Sequence, residues 1–276
     1  MLTKLGLYKA FGENPERTWG FARRIGPPIA RLLARSAGYG AERMPETGGL
    51  VLAMNHFSAL DPALVGTYTR RTIYYMAKIE LLSIPIAGEL LRWTGAFAVR
   101  RGEGDRDSLR VARWVASRGH VVGFFMEGTR QGFGYPGPVH AGAAMIAIQE
   151  GVPVQPCGLD SFRWSPRNRR PCAVVFGEPI SLEGLPAGGK GYKEGAAMIE
   201  REIHRLWRQA AQAAADGLPD ELPDGTRRSR HYYGPTGLEQ PELETWPRES
   251  WAEGPLGPVH RDAPLNEIRT EEAANS

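Results

Sequence analysis

Apolar positions along the first 215 residues follow two spacings. Short runs rich in β-branched and aromatic residues predict strands over Leu50–Met54, Thr72–Ala77, Ala96–Val99, Val121–Phe125, Val152–Leu159 and Ala173–Gly177. Between several of these runs, apolar residues recur every three or four positions, which predicts helices over Pro62–Arg70, Asp105–Arg118, Ala141–Glu150 and Lys190–Ala215. This alternation predicts a single α/β domain with a mixed, largely parallel central sheet flanked by helices.

Residues 216–276 show a different pattern. They hold eight prolines and six glycines, and their apolar positions follow no period. Such a composition buries too little apolar surface to offset the entropy lost on ordering, so we predict a tail that is mostly extended or disordered. Four aromatic residues could hold this tail against the rest of the chain: Tyr232, Tyr233, Trp246 and Trp251.

Charge divides the chain at the same place. The net charge of +3 combines a tail of net −7, with six Arg and 13 acidic residues, and a body of net +10, with 28 basic and 18 acidic residues. A basic body predicts an anionic partner, which could be nucleic acid, a phosphorylated metabolite or a membrane surface. Composition does not choose among the three.

The N-terminal stretch Arg17–Arg35 contains five arginines and no acidic residue, interleaved with Trp19, Phe21 and aliphatic side chains. This pattern is typical of an amphipathic segment at a membrane interface. It also fits a helix hairpin that packs on the core and exposes its arginines. We assign 1–40 to an N-terminal amphipathic, membrane-associating segment, 41–215 to the main domain and 216–276 to the tail.

Several broad classes of protein are excluded. No run is apolar and continuous enough for a transmembrane helix, and the first residues lack the features of a cleavable signal. Cys157 and Cys172 are too few for a disulfide scaffold, and no C-x-x-C pair suggests zinc. We therefore expect a cytoplasmic protein without a bound metal, associated peripherally with the cytoplasmic face of the membrane.

The first candidate site follows the predicted strand Leu50–Met54 and contains His56 and Asp61. A residue that precedes proline disfavours the helical conformation, whereas Pro62 suits a first helical turn, so we predict a loop with Asp61 as the helix cap. The loop can fold back and bring the carboxylate to the imidazole, which gives His56 the features of a general base. The spacing alone also fits a plain helix cap and a loop histidine.

The second candidate site is Glu127–Arg130, directly after the strand Val121–Phe125. Ligands of open α/β sheets usually bind at the carboxyl ends of strands. Gly128 allows close approach of the backbone, Thr129 offers a hydroxyl group, and Arg130 can bind a phosphate through two hydrogen bonds. Alone, the segment also fits a turn closed by a surface ion pair.

Two further segments complete the set. Gly95–Arg101 ends in two arginines, which either add to an anion pocket or form a solvated pair, and Lys78 adds a cation after another strand. Val152–Pro156 is apolar, which favours core or an acyl-chain wall over chemistry.

Taken in order, these segments resemble the PlsC-like glycerolipid acyltransferase family, also called the lysophosphatidate acyltransferase family. Its NHxxxxD, GxxxxxR, FPEGTR and proline-containing apolar motifs correspond to Asn55–Asp61, Gly95–Arg101, Phe125–Arg130 and Val152–Pro156. The resemblance covers roughly Met44 to Pro179, about half of the chain. Met126 replaces the usual proline, which we expect to loosen the turn. Arg100 replaces a frequent acidic residue, which makes the pocket more positive.

The resemblance implies an O-acyltransferase of phospholipid biosynthesis. His56, oriented by Asp61, would activate the free hydroxyl of lysophosphatidate for attack on an acyl thioester, giving phosphatidic acid without an acyl-enzyme and without a bound cofactor. The donor would be acyl-CoA or acyl-carrier protein. The partners would be a lysophospholipid, an acyl thioester and an anionic membrane surface, and nucleic acid is not expected.

The resemblance also assigns roles to the remaining residues. Arg101 and Arg130 would hold the acceptor's phosphate, with Lys78 as a weaker candidate, and Glu127, Gly128 and Thr129 would position the glycerol. Ser58 would stabilise its loop. The residues that support the motifs are Asn55, Ser58, Gly95 and Pro153. Three alternatives stay open: another acceptor such as a different lysolipid or glycerol 3-phosphate, a thioesterase, and a non-catalytic module that binds anionic membranes.

Overall fold

One sheet organises the chain. The computed structural model describes residues 18–25, 28, 34–86, 88, 91–92, 94–99 and 106–231. Within them, seven strands lie in the order β1-β7-β6-β2-β5-β3-β4. Their bounds are β1 Ser36–Tyr39, β2 Leu50–Met54, β3 Ile73–Lys78, β4 Phe97–Val99, β5 Val121–Phe125, β6 Val154–Asp160 and β7 Cys172–Phe176. Only the β6–β7 pair is antiparallel, so the predicted mixed, largely parallel sheet is confirmed.

Helices flank this sheet. The helices that follow β1 along the chain are α1 Asp61–Tyr68, α2 Ile79–Leu82, α3 Arg106–Ser117, α4 Gly142–Glu150 and α5 Gly189–Ala215, and a 3-10 turn spans Ala41–Arg43. The six predicted strands and four predicted helices are all present, with ends shifted by at most two residues. β1 and α2 are additional. Because β1 lies within residues 1–40, the packed domain begins at or before Ser36, ahead of the predicted boundary at residue 41.

The core lies on both faces of the central strands. Every residue of β2, β6 and β7 is buried, as expected for strands covered by helices on each side. On one face, Leu52 and Met54 join Leu64 of α1 in a single apolar cluster. On the other face, Val175 of β7 packs with residues of α5 that include Leu206.

The packed domain also continues beyond α5. Leu218 and Leu222 are buried in the α5-side cluster, and Tyr39 Oη donates a hydrogen bond of 2.7 Å to Pro219 O. Arg228 forms an isolated bridge with Tyr39. The domain therefore extends through residue 231, past the predicted boundary at Ala215. The four tail aromatics lie outside the described residues.

Residues 18–25 form a helix with two different sides. Trp19 is buried, and its Nε1 donates to Thr94 O at 2.8 Å. The guanidinium of Arg23 lies 5.4 Å from the centroid of the Trp19 ring. Phe21 and Ile25 are exposed. The helix thus packs on the domain through one side and presents apolar residues on another, and most of the remaining predicted N-terminal segment lies outside the described residues.

The contact between β6 and α5 leaves no room for a side chain at Gly158. A Cβ at this position would lie 2.2 Å from Trp207 N and 2.3 Å from Leu206 C, both backbone atoms. We expect Gly158→Ala to lower the free energy of unfolding by at least about 2 kcal/mol, because the helix must move off the strand. Gly189→Ala is the matched control, since nothing lies within 4 Å of its Cβ. Urea unfolding would measure both, and equal stabilities would contradict the expected close packing.

Candidate active site

The candidate residues meet where parallel strands end. β2, β3, β5 and β6 run in one direction, so their carboxyl ends lie along one edge of the sheet, which we call the carboxyl edge. The connections that leave this edge include residues 55–60 after β2, the residues that follow Lys78 of β3, residues 126–141 after β5 and residues 161–171 after β6. This is the usual position of ligand sites in such sheets.

His56 and Asp61 are in direct contact. The His56 Nδ1 atom lies 2.8 Å from Asp61 Oδ2, so the loop folds back as expected. Asp61, however, is the first residue of α1 and not its cap; Leu60 occupies the cap position, without a side-chain hydrogen bond. The predicted capping role is wrong because the carboxylate turns back to the loop, where Oδ2 accepts the N–H groups of Phe57 and Ser58 at 2.7 and 2.9 Å.

Five donors converge on the buried Asp61 carboxylate. Besides His56 and the two backbone N–H groups, Oδ1 accepts hydrogen bonds from Ser58 Oγ at 2.9 Å and from Ser161 Oγ. The residue is fully buried. A set made entirely of donors suits a deprotonated carboxylate, which can only accept. Ser58 Oγ also accepts from Leu60 N at 3.2 Å, which is the contact pattern of a hydroxyl that stabilises the loop.

The imidazole of His56 is held by ring stacking as well as by its hydrogen bond to Asp61. The ring stacks on Phe125, with centroids 4.0 Å apart and planes inclined by 24°, and the side chain is 14% exposed. Donation from Nδ1 to Asp61 selects the tautomer in which Nε2 carries the lone pair. In the described part of the chain, Nε2 has no hydrogen-bond partner. The arrangement can therefore accept a proton from a bound hydroxyl group.

A second carboxylate, Glu127, holds the backbone of His56. Its Oε2 accepts the His56 N–H at 2.7 Å, and its Oε1 accepts the Gly137 N–H at 3.1 Å. Burial raises the pKa of Glu127 to about 7, although both backbone hydrogen bonds act to lower it. Only 4% of the residue is exposed. Glu127 thus fixes the loop in this structure, whereas the resemblance had implied contact with the glycerol.

The turn after β5 depends on Gly128 and Met126. Gly128 has a φ of +65°, and a Cβ there would lie 3.2 Å from the ring of His140. Met126 N–H donates to Met54 O at 2.9 Å and extends the pairing of β5 with β2. A proline has no N–H to make this bond. Met126 therefore ties the turn to β2, contrary to the expected loosening.

The remaining polar residues of the carboxyl edge are exposed. Thr129 and Arg130 lie at the surface, and their position is set by the Gln131 N–H, which donates to His56 O at 2.8 Å. The guanidinium of Arg130 makes no hydrogen bond within the described residues. Lys78 Nζ lies 3.4 Å from Glu80 Oε1 in a largely solvated pair, which contributes little and leaves the ammonium available.

Two predicted motif residues lie at the opposite edge. Gly95 precedes β4, is buried and has a φ of +82°. Pro153 precedes β6, and its carbonyl accepts the Val51 N–H at 3.1 Å. Both shape the amino ends of strands and do not reach His56. Arg100 and Arg101 lie outside the described residues.

Ser161 and the role of Asn55 were not predicted from the sequence. The Asn55 side chain exchanges two hydrogen bonds with the backbone of Leu159, at 2.9 and 2.8 Å, and so continues the pairing of β2 with β6 beyond Met54. This places the end of β6, and with it Ser161, beside Asp61. The signal was present, because the polar pair Asp160-Ser161 directly follows the predicted strand Val152–Leu159, just as the other site segments follow predicted strands.

Neither cysteine adds reactivity. Both thiols are free and buried, and burial raises the pKa of Cys172 to about 12. Across the part of the chain that the structure describes, no group of three His, Cys, Asp or Glu side chains is placed to hold a metal ion. In that same part, no helix combines the length and apolar character needed to cross a membrane.

Fold and site together define a class of enzyme. A histidine supported by a buried aspartate at the carboxyl edge of a largely parallel α/β sheet has the geometry expected of a general-base site. A family model described as Acyltransferase matches residues 35–160. The 1-acyl-sn-glycerol-3-phosphate acyltransferase alpha of Mus musculus is 31% identical over 209 residues, covering 63% of this chain and 70% of the relative.

Two further comparisons agree. The 1-acyl-sn-glycerol-3-phosphate acyltransferase of Bacillus subtilis is 31% identical over 185 residues, covering 61% of this chain and 89% of the relative. The crystal structure of PlsC from Thermotoga maritima shares the fold, with a TM-score of 0.56, 23% identity and coverage of 70% of this chain and 80% of that one. The chain belongs to the PlsC-like acyltransferase family and is an O-acyltransferase.

The raised pKa of Glu127 predicts a pH-dependent stability. The folded protein holds the proton up to about pH 7, whereas the unfolded chain releases it near 4.5, so the free energy of unfolding falls as pH rises through this window. Between pH 5 and 8 we expect wild type to lose on the order of 2 kcal/mol relative to Glu127→Gln, which cannot ionise. Urea unfolding across this range measures the difference, and a constant difference would contradict the shift.

Proposed function

We propose that the protein transfers a fatty acyl group from an acyl thioester to the free hydroxyl of lysophosphatidate and so forms phosphatidic acid. The observation that carries the proposal is the His56–Asp61 pair, in which His56 Nε2 has no partner in the described residues. The exposed Arg130 lies at the same edge, and its neighbour Gln131 donates to His56 O. The names of the relatives from Mus musculus and Bacillus subtilis support the choice of acceptor.

His56 acts first as a general base and then as a general acid. His56 Nε2 takes the proton from the acceptor hydroxyl while its oxygen attacks the thioester carbonyl and forms a tetrahedral oxyanion. Collapse of this intermediate forms the ester and expels the thiolate, which takes the proton back from the imidazolium. Asp61 stabilises the imidazolium and holds its orientation throughout. The reaction needs no covalent enzyme intermediate, no metal and no resident cofactor.

The acceptor's phosphate is held by cations at the carboxyl edge. Arg130 offers a bidentate guanidinium, Arg101 is the family-motif partner, and Lys78 adds a point charge. Gly128 and Thr129 line the approach of the glycerol. Glu127 acts indirectly, since its carboxylate fixes the His56 backbone. Such fixed orientation can supply several kcal/mol of the barrier.

The donor is acyl-CoA or acyl-carrier protein, and the enzyme works at the cytoplasmic face of the membrane on an anionic surface. The exposed Phe21 and Ile25 of the helical residues 18–25 support a peripheral contact. An acceptor panel separates this function from its alternatives. Lysophosphatidate should exceed neutral lysolipids and glycerol 3-phosphate as acceptor, and thiol release should require an acceptor, unlike that of a thioesterase.

Removal of the base tests the mechanism directly. We expect His56→Ala to lower kcat by about 10³-fold and Asp61→Asn by about 10²-fold or more, because proton transfer and its orientation are lost. His204→Ala, on α5, is the control and should stay within about twofold, because the ring of His204 contacts Trp207 and not the residues of the site. Acyl transfer from a thioester to lysophosphatidate is measured with purified proteins. Full activity in His56→Ala would refute the proposed base.

Ser161 is expected to act as a positioning residue through Asp61. Ser161→Ala removes one of the two hydroxyl donors to Oδ1, so we expect kcat to fall about tenfold with little change in KM. Ser161→Thr keeps the hydroxyl and should retain most of the activity. Steady-state kinetics of the two variants measure kcat and KM separately. Equal values of kcat for Ser161→Ala and Ser161→Thr would contradict this role.

A further inference from the structure

Exposed hydrophobic side chains are concentrated at one edge of the molecule. Seven large ones are exposed within the described residues. Five of these lie on two connections at the carboxyl edge: Leu81, Ile84 and Ile86 follow β3, and Phe133 and Tyr135 follow β5. Because β3 and β5 are neighbours in the sheet, the two connections leave it side by side. Single exposed apolar residues are ordinary, but a cluster at a ligand-binding edge marks an interaction surface.

The connection 131–137, which we call the aromatic loop, has a tip shaped by packing. Phe133 is 77% and Tyr135 55% exposed, and their rings stack with centroids 6.0 Å apart. Between them, Gly134 has a φ of +82°, and a Cβ there would lie 2.9 Å from the ring of Phe162. Phe162 in turn packs edge-on against Phe57 at 5.9 Å. The two tip aromatics therefore point to solvent while the loop's inner side is close-packed.

Both ends of the aromatic loop are attached to the catalytic base. At one end, Gln131 N–H donates to His56 O at 2.8 Å. At the other, Gly137 N–H donates to Glu127, whose second oxygen accepts the His56 N–H. The loop and the histidine are thus held as one unit. Whatever the tip contacts is brought to a fixed position relative to His56.

Cations flank this apolar tip. The connection 161–171 after β6 contains four arginines and no acidic residue. Arg163, Arg167 and Arg169 are exposed, and Arg170 pairs with the buried Asp160 at 3.0 Å. Arg163 also covers the ring of Phe162, which packs under the aromatic loop. On the acidic side, Glu127 is buried as well, and the exposed Glu80 faces Lys78.

We propose that the carboxyl edge is the surface through which the protein binds an anionic lipid bilayer, with Phe133 and Tyr135 inserted at the interface and the arginines of residues 161–171 on the headgroups. An apolar tip with a tyrosine hydroxyl and arginines on the neighbouring connection matches the layered chemistry of an anionic bilayer surface. The inference deepens the proposed function, because it names the surface from which the active site takes its acceptor.

The first test places a probe at the tip. Cys157 and Cys172 are fully buried, so a single introduced thiol can be labelled with an environment-sensitive fluorophore. Phe133→Cys probes the aromatic loop, and Thr47→Cys is the control, since it is exposed just before β2 at the opposite edge. With vesicles of phosphatidylglycerol and phosphatidylcholine, we expect a blue shift and an intensity gain at position 133 only. An equal response at both positions, or none at position 133, would overturn the proposal.

The second test addresses the charges. Arg167→Gln should weaken binding to the same vesicles about fivefold, the effect of one basic residue near an anionic surface. Arg118→Gln is the matched control, because Arg118 is also exposed and lies before β5 at the opposite edge. Affinity is measured by vesicle co-sedimentation. Equal effects of the two substitutions would contradict the orientation.

Both tests are repeated in a His56→Ala background, which separates them from catalysis. If the wild-type protein transfers no acyl group but the probe at position 133 still enters the bilayer, the proposed function fails and this inference stands. If acyl transfer is found while the probe stays in water, only this inference fails.

Discussion

The Asp61 carboxylate imposes the main constraint on this structure. It is fully buried, and a buried charge is tolerated only when hydrogen bonds replace the water that it loses. Two backbone N–H groups, two hydroxyls and the His56 imidazole supply them. To do so, the loop after β2 must curl back over the start of α1, and β6 must end where Ser161 reaches the same oxygen. The geometry of the base thus follows from the solvation of its aspartate.

Two buried carboxylates share the site and differ in role because they differ in solvation. Asp61 accepts five donors and serves the imidazole, whereas Glu127 accepts two backbone N–H groups and holds the main chain of His56. Fewer donors leave burial uncompensated at Glu127, and burial together with the nearby charge of Asp61 raises its pKa to about 7. Burial, and to a smaller extent the charge of Asp61, also raises the pKa of the Cys157 thiol.

The spacing of apolar residues predicted most of the fold, because buried strands and amphipathic helices each leave a recognisable pattern in the local sequence. β1 was not predicted, since Ser36–Tyr39 is short, contains three small residues and follows an arginine-rich stretch. Local sequence also paired His56 with Asp61, which lie five residues apart. It could not give Ser161 a role, because that contact spans 100 residues and depends on the register of β6 against β2. The contacts of Glu127 with Gly137 and His56 were not predicted for the same reason, since these residues meet only after folding.

Parallel topology has one more consequence for this chain. When neighbouring strands point the same way, their carboxyl-end connections must share an edge. The His56–Asp61 pair, the candidate phosphate cation Arg130 and the aromatic loop are therefore placed together, although none of them specifies the position of the others. At the opposite edge, Gly95 and Pro153 shape the starts of strands. The sheet therefore separates a chemical edge from a structural one, and the hydrogen bonds of the His56 backbone with Glu127 and Gln131 fix the aromatic loop relative to the imidazole.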